Sequence, residues 1–278
     1  MNKSIGLVTD STADIPEDQV RAEGVEIVPA TIVVEGQPYQ DGVGLTRPEF
    51  YRLLPDLAHP ASTAAPAPSA FEAAYDRMLA SGVGRVLSIH LSRRLSGLYG
   101  IAVQAARRFG DRVSVVDSGQ VSLGLGFQVL EAARAIRRGA SWEAVQQAVA
   151  SAGRRIRTIA MIEQLDYARR SGRIDWLRSS IGNLLHVRLL LEIADGLVRR
   201  LGQVRTRHRA IDELFTIAAS WGPVQRLGVV HAVAEEDARA LASRLAVSVE
   251  EPPLVVDVTT VIGTHVGPGS VGVIGLLR

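Results

Sequence analysis

Cysteine is missing from this chain of 278 residues, and its absence excludes disulfide bonds, thiolate nucleophiles and zinc sites built on thiolates. The six histidines show no paired spacing that would suit a metal ion. We therefore expect the protein to carry neither a metal nor a cofactor.

Long unbroken apolar runs are missing as well. The first ten residues hold no apolar stretch long enough for a signal peptide, and charge, proline or glycine interrupts each longer apolar segment. This pattern predicts a cytoplasmic protein without stable membrane insertion.

Lysine and aromatic residues are scarce. Lys3 is the one lysine beside 30 arginines, and aromatic residues make up 5% of the chain. The net charge of +2 conceals a cationic stretch at residues 154–209, which holds thirteen arginines against five acidic residues. With so few aromatic rings to stack on bases, we expect no nucleic acid partner.

What the chain does contain is a high apolar fraction, 47%, arranged in its first half as an α/β alternation. Capping boxes at Thr46 with Glu49 and at Ser69 with Glu72 predict helices over 47–57 and 70–81. A glycine turn within 33–44 predicts a β-hairpin inserted into the alternation. The predicted strands are Ile5–Thr9, Val25–Val34, Val83–Leu91 and Val113–Val116.

The second half has a different pattern. Asp195-Gly196 separates two apolar runs and gives the strongest hairpin signal in the chain. Helices at 207–220 and 234–246 alternate with strands, which favours an α+β layer over a second parallel sheet. We expect an N-terminal α/β domain with a parallel sheet at 1–152 and a C-terminal α+β domain at 153–278.

Ser96 and Gly97 stand where a predicted strand passes into a helix. A nucleophile elbow would need glycine two residues before and after the serine, where this chain has Arg94 and Leu98. A helix N-terminus instead offers a hydroxyl, backbone N–H groups and a positive dipole, which suit a carboxylate or phosphate. An ordinary helix cap remains the alternative.

Three further stretches are candidate sites. Asp10-Ser11-Thr12 follows a strand and is typical of a helix cap. Gly124 and Gly126 suggest that another group, such as a ligand chain, approaches the backbone closely. His265 lies among three glycines and a proline in a predicted turn at 262–270, which would suit a polar group aimed at a ligand.

Seven stretches together resemble the DegV family of fatty-acid-binding proteins, in the order of that family, over residues 8–272. They are DSTADIP at 10–16, STAAPAPSAF at 62–71, LSGLYGIA at 95–102, VVDSGQVSLGLG at 115–126, LDYARRSGRI at 165–174, GQVRTRHRAI at 202–211 and IGTHVGPGSVG at 262–272.

The resemblance implies a DegV-like fold in which a long-chain fatty acid such as palmitate lies in a tunnel between the two domains. It implies that Thr63 and Ser96, with Gly97 and His265, bind the carboxylate. It also implies that the protein is not itself an enzyme, and that it serves as a non-catalytic subunit of a fatty acid kinase. Arg173 and Arg205 would then support the head group or the transferred phosphoryl group.

This chain departs from the family pattern at several positions. Alanines at 64, 65 and 67 replace polar residues of the second motif, Leu98 replaces a threonine, and Leu189 stands where a proline is usual. Fewer head-group contacts are expected, although both hydroxyls remain. The alternative reading is a serine hydrolase that uses Ser96 with His265.

Overall fold

The computed structural model describes residues 5–172, 187–249 and 251–278 and divides the chain into two compact units. Unit 1 holds the chain up to Ala30 together with Ala64–Arg154. Unit 2 holds Thr31–Thr63 together with the chain from Arg155 onward.

Strands and helices alternate along the chain. The strands are β1 (Ile5–Asp10), β2 (Val25–Val28), β3 (Thr31–Val34), β4 (Gln37–Gln40), β5 (Ser62–Ala64), β6 (Arg85–His90), β7 (Val113–Asp117), β8 (Ile156–Ile162), β9 (Arg188–Ala194), β10 (Leu197–Val204), β11 (Val224–His231), β12 (Leu254–Asp257) and β13 (Val271–Leu277).

The α-helices are α1 (Glu17–Glu23), α2 (Arg47–Leu53), α3 (Pro68–Ala80), α4 (Leu98–Ala106), α5 (Leu123–Arg137), α6 (Trp142–Arg155), α7 (Leu165–Arg170), α8 (Arg207–Ala219), α9 (Glu235–Leu245) and α10 (Thr260–Val266). Short 3₁₀ turns lie at Ser11–Ala13, Leu54–Asp56, Arg107–Arg112 and Ala246–Ser248.

Unit 1 is built on a parallel sheet with strand order β2-β1-β6-β7. Every residue of β1 is buried, as expected for a parallel strand covered on both faces. Because the strands are parallel, Asp10, His90 and Asp117 come together at one edge, where α/β proteins place functional groups.

Unit 2 contains a six-stranded mixed sheet with order β10-β9-β8-β13-β11-β12, in which β11 and β12 pair in parallel. Its core includes Met161, Leu214 and Val273. Asp195 and Gly196, at φ 53° and 75°, form the turn between β9 and β10, which confirms the predicted hairpin. The expected fold class is confirmed: a parallel α/β unit and a C-terminal mixed-sheet unit.

The segment Thr31–Thr63 groups with unit 2, whereas the division expected from sequence placed it in the N-terminal domain. Long-range contacts hold it there. The Asp41 carboxylate accepts from the backbone and the hydroxyl of Thr260 at the start of α10, at 3.2 and 2.6 Å. The Tyr51 hydroxyl donates to the carbonyl of Val258 at 3.0 Å. The C-terminal boundary, at Arg154–Arg155, lies close to the expected one.

Within this segment, the Thr46–Glu49 capping box forms at α2 as predicted. The hairpin predicted at 33–44 is also present, as the antiparallel pair β3 and β4.

Three local predictions are wrong. Residues 25–34 form two strands, since Pro29 lacks the N–H that a continuous ladder needs. Helix α3 begins at Pro68 with Ala67 at its N-cap, because proline suits the first helical position, so Ser69 makes no cap. The turn predicted at 262–270 instead begins inside α10, which contains His265.

Candidate functional site

Ser96 lies in the turn that joins β6 to α4 in unit 1. The turn is tight: the carbonyl of Ser92 accepts from the backbone N–H groups of Leu95 and Ser96, at 2.9 and 3.2 Å. The Ser96 hydroxyl accepts from the N–H of Leu98, the first residue of α4, at 3.2 Å. Ser96 therefore stands at a helix N-terminus, where backbone dipoles favour an anion.

Gly97 is the N-cap of α4 and is exposed. Its φ of −71° needs no glycine, and an added Cβ would meet no other atom of the described chain within 4 Å. No packing of the described residues therefore calls for glycine here. The open space beside Ser96 is available to a ligand group that approaches the backbone.

Asp117, the last residue of β7, holds this turn from one side. Its Oδ1 accepts from the backbone N–H groups of Arg93 and Gly119, at 3.2 and 2.9 Å. The Ser92 N–H donates to the carbonyl of Gln120 at 3.0 Å. The VVDSG motif thus acts as a support for the Ser96 turn.

The group that closely approaches Gly126 belongs to the protein itself. A Cβ at this position would lie 2.5 Å from the carbonyl oxygen of Ala13. Glycine is therefore needed for α5 to pack against the Ser11–Ala13 turn, which corrects the expectation that a ligand chain lies there.

A second group of hydroxyls surrounds His265 in unit 2. The imidazole Nε2 lies 3.0 Å from the Thr63 hydroxyl, and Nδ1 lies 2.8 Å from the Ser171 hydroxyl. The Ser171 hydroxyl donates to the carbonyl of Tyr167 at 2.7 Å, so it accepts from Nδ1–H. In the neutral imidazole, Nε2 then accepts the hydrogen of Thr63.

Helix α10 positions His265 through its C-terminus. Gly267 ends the helix at φ 72° and ψ 164°, and its N–H donates to the carbonyl of Gly263 at 2.9 Å. The ring of Tyr167 from α7 occupies the space that a Cβ at Gly267 would need. Glycine is required here by both conformation and packing. Sequence reasoning passed over Ser171, although it lies in the LDYARRSGRI stretch, because the tertiary fold brings it to His265.

Of the two arginines expected to support the head group, one lies among the described residues and the other does not. Arg173 lies outside the described residues. Arg205 is exposed, and its carbonyl accepts from the guanidinium of Arg188 at 2.7 Å. Sequence reasoning passed over Arg207 in the same motif, whose guanidinium bonds to Glu163 at 2.7 Å and to Asp237 at 2.6 and 2.8 Å. Arg207 is therefore a structural ion-pair centre.

The geometry does not favour a serine hydrolase. A catalytic histidine of that class is oriented by a carboxylate on Nδ1, whereas His265 bonds there to the Ser171 hydroxyl. Its Nε2 lies 3.0 Å from the hydroxyl of a threonine, Thr63.

Metal-binding clusters and membrane-spanning helices are both absent from the described ranges. Across 5–172, 187–249 and 251–278, no three histidine or acidic side chains are grouped so that they could hold a metal ion. Within those same ranges, no helix is both long and apolar enough to span a membrane.

Comparison with known proteins agrees with these motifs. The model of the family described as uncharacterised protein, DegV family, matches residues 4–277. The chain belongs to the DegV family. A DegV domain-containing protein of Streptomyces coelicolor is 36% identical over 283 residues, with 99% of each chain covered.

Solved DegV structures share the fold. A DegV family protein from Thermus thermophilus, described by its fatty acid binding, superimposes with a TM-score of 0.92 at 32% identity, covering 99% of this chain and all of that one. DegV of Bacillus subtilis, described as a fatty acid binding protein, gives a TM-score of 0.88 at 28% identity, with 99% of each chain covered.

Proposed function

We propose that this DegV protein binds a long-chain fatty acid and that Thr63 and Ser96 each donate a hydrogen bond to its carboxylate. The observation that carries the proposal is the Thr63–His265–Ser171 arrangement, a half-buried hydroxyl backed by an imidazole. The fatty acid binding of the Thermus thermophilus and Bacillus subtilis relatives supports the ligand class.

The energetics fit an acyl ligand. Burial of an alkyl chain is worth about 0.8 kcal/mol per methylene, so a long tail contributes on the order of 10 kcal/mol before the costs of association. A carboxylate withdrawn from water needs replacement donors, which hydroxyl groups and a helix N-terminus supply. The two hydroxyls therefore give specificity for the acid head group.

The hydrogen bonds of Thr63 couple ligand binding to the position of a hydrogen on His265. In the free site, Thr63 gives its single hydrogen to His265 Nε2. To donate to a carboxylate instead, Thr63 must accept from Nε2–H. The imidazole supplies that hydrogen either by taking up a proton or by changing tautomer, with the Ser171 hydroxyl then donating to Nδ1.

The test combines native mass spectrometry with calorimetry. Protein purified from a bacterial host should carry a C14 to C18 acid, and delipidated protein should take up palmitate. Titration in buffers of different ionisation enthalpy distinguishes the two routes, because protonation of His265 takes up a proton from solution and a tautomer change does not. A delipidated, folded protein that binds no fatty acid would contradict the proposal.

We further propose that the bound carboxylate is presented to a fatty acid kinase that converts it to an acyl-phosphate. The support is the exposed, cationic Arg205 in the VRT motif, together with His265 beside the carboxylate ligand Thr63. A phosphoryl group adds negative charge that guanidinium and imidazole groups stabilise. Arg205→Ala should therefore reduce kinase-dependent acyl-phosphate formation much more than palmitate binding. Equal losses in both would make Arg205 a simple carboxylate ligand.

A further inference from the structure

A chain of buried polar side chains adjoins the Ser96 turn in unit 1, and its centre is Asp10, the last residue of β1. The Asp10 Oδ1 accepts from the backbone and the hydroxyl of Thr12, at 3.1 and 2.5 Å. Its Oδ2 accepts from the backbone N–H of Leu91 at 3.2 Å and bonds to His90 Nδ1 at 2.9 Å. Both Asp10 and His90 are 0% exposed.

The donor and the acceptor of each hydrogen bond in this network follow from the Asp10 carboxylate, which only accepts. Because a carboxylate only accepts, His90 carries a hydrogen on Nδ1, and in the neutral imidazole its Nε2 accepts from the Ser88 hydroxyl, 2.6 Å away. The Tyr75 hydroxyl then donates to Ser88 at 2.9 Å. Burial raises the pKa of Tyr75 to about 12, which keeps this hydroxyl protonated. Each of the four groups thus has a defined partner.

Two backbone N–H hydrogen bonds and the Leu91–Ser92 peptide bond connect Asp10 to Ser96. Leu91, whose N–H it accepts, precedes Ser92, and the Ser92 carbonyl accepts from the N–H of Ser96 at 3.2 Å. Leu91 and Ser92 are both buried. A shift of the chain at Leu91 would therefore move the Ser96 hydroxyl and the N-terminus of α4.

We propose that Asp10 is a positioning residue for Ser96, which it holds through the Leu91 N–H with His90 as its buried partner. The proposal rests on the carboxylate-binding role of Ser96 proposed above. It gives the DSTADIP motif a function in ligand binding. Aspartate rather than asparagine is required because four donors converge on its two oxygens, while asparagine offers one acceptor oxygen. Such supporting contacts are what keep a binding group in place.

The first test is a double-mutant cycle on palmitate binding. Asp10→Asn should weaken binding about tenfold, the effect of losing about one hydrogen bond to a charged group. In the Ser96→Ala background the same change should have little further effect, because its target is gone. An equal loss in both backgrounds would overturn the proposal.

The matched control is Asp14→Asn. Asp14 belongs to the same motif and is equally buried, but its carboxylate accepts from the Ser122 hydroxyl at the start of α5. Palmitate binding should change much less in this variant than in Asp10→Asn, even where both lower the melting temperature similarly. Comparable weakening by the two variants would mean that general loosening of unit 1 explains the effect.

Variants of His90 separate positioning from packing. His90→Asn can still donate an amide hydrogen to Asp10 and should retain most of the affinity. His90→Leu fills similar space without a donor and should behave like Asp10→Asn. Retention of affinity by the leucine variant would argue against the role of His90.

Amide hydrogen exchange on ligand-free protein tests the proposal independently of fatty acid binding. Exchange at Leu95 and Ser96 should be faster in Asp10→Asn and in His90→Leu than in wild type. Unchanged exchange in either folded variant overturns the positioning role, whether or not palmitate binds. Faster exchange with no palmitate binding in wild type would instead count against the proposed function alone.

Discussion

At the scale of single residues, the proposed fatty acid site depends on two hydroxyl groups, which this chain keeps although alanines replace polar residues beside Thr63. Thr63 and Ser96 are both half-buried. Each can meet a ligand while still held by the fold, Thr63 by His265 and Ser96 by the N–H of Leu98. Removal of these hydroxyls should therefore affect ligand binding more than folding.

The variant that combines Thr63→Val with Ser96→Ala should weaken palmitate binding by about 1 to 3 kcal/mol, the usual loss for donors to a charged group. Isothermal titration measures the affinity, and circular dichroism with thermal melting verifies the fold. Unchanged affinity in the folded double variant would remove both residues from the site.

His231 gives a residue-scale prediction for stability. It is buried at the end of β11, and this burial lowers the pKa of its imidazole below the ordinary value of about 6.5, in spite of nearby Asp257. The unfolded chain therefore binds a proton more readily than the folded one as the pH falls through this region. The free energy of unfolding should decrease on acidification there and recover at higher pH.

Chemical denaturation at pH 7.5 and 5.5 measures this effect, and His231→Gln should show a smaller difference between the two conditions. Burial also raises the pKa of Asp257, an effect of opposite sign: its stabilisation is present at low pH and is lost as the pH rises through the folded value. The His231→Gln variant keeps this carboxyl, so the comparison of variant with wild type tests the contribution of His231. Equal pH dependence in variant and wild type would assign the effect to other groups.

At the scale of elements, α10 is the helix that carries His265, which bonds to Thr63 and Ser171 in the proposed site. The Asp41 carboxylate caps its start, and Tyr51 occupies the space beside Gly263, so α2 and α10 pack closely. His265 lies in the last turn of α10, two residues before the Gly267 C-cap. Few of these contacts are local in sequence.

Gly267→Ala should destabilise the protein by about 1 to 3 kcal/mol or more, because the backbone there adopts a conformation that is essentially restricted to glycine. The added methyl group would also displace Tyr167. Thermal and denaturant unfolding measure the loss. Gly139→Ala is the control: this glycine also has positive φ, 77°, but among the described residues no atom lies within 4 Å of an added Cβ. A larger loss at Gly267 than at Gly139 measures the combined cost of the backbone conformation at Gly267 and the contact with Tyr167.

At the scale of the whole molecule, ligand binding should appear as stabilisation of the folded state. A ligand that binds only the folded protein adds about 2.7 kcal/mol at a hundred times its Kd. Palmitate should raise the melting temperature more than the alcohol of equal chain length, since the alcohol lacks the carboxylate. The difference between the two should collapse when Thr63 and Ser96 are both substituted. Identical shifts with acid and alcohol in the wild type would mean that the head group is not recognised.

Local sequence determined the features that depend on neighbouring residues. The Thr46–Glu49 capping box forms because the two side chains cap each other's backbone within one turn. The turn at Asp195-Gly196 forms because these residue types adopt positive φ at low cost. The parallel strands of unit 1 follow from short, apolar, β-branched runs that alternate with helical patterns.

Only the tertiary structure decided which distant residues meet. Asp41 and Thr260 are 219 positions apart, Thr63 and His265 are 202 apart, and Asp10 and His90 are 80 apart. No local pattern encodes these pairs, so sequence reasoning placed 31–63 in the first domain and predicted a turn where α10 forms. Gly263 disfavours a helix at α10, and packing against Tyr51 with the Asp41 cap outweighs that preference. Propensity acts between neighbours, whereas burial and hydrogen bonding across the fold determine where the chain places its functional groups.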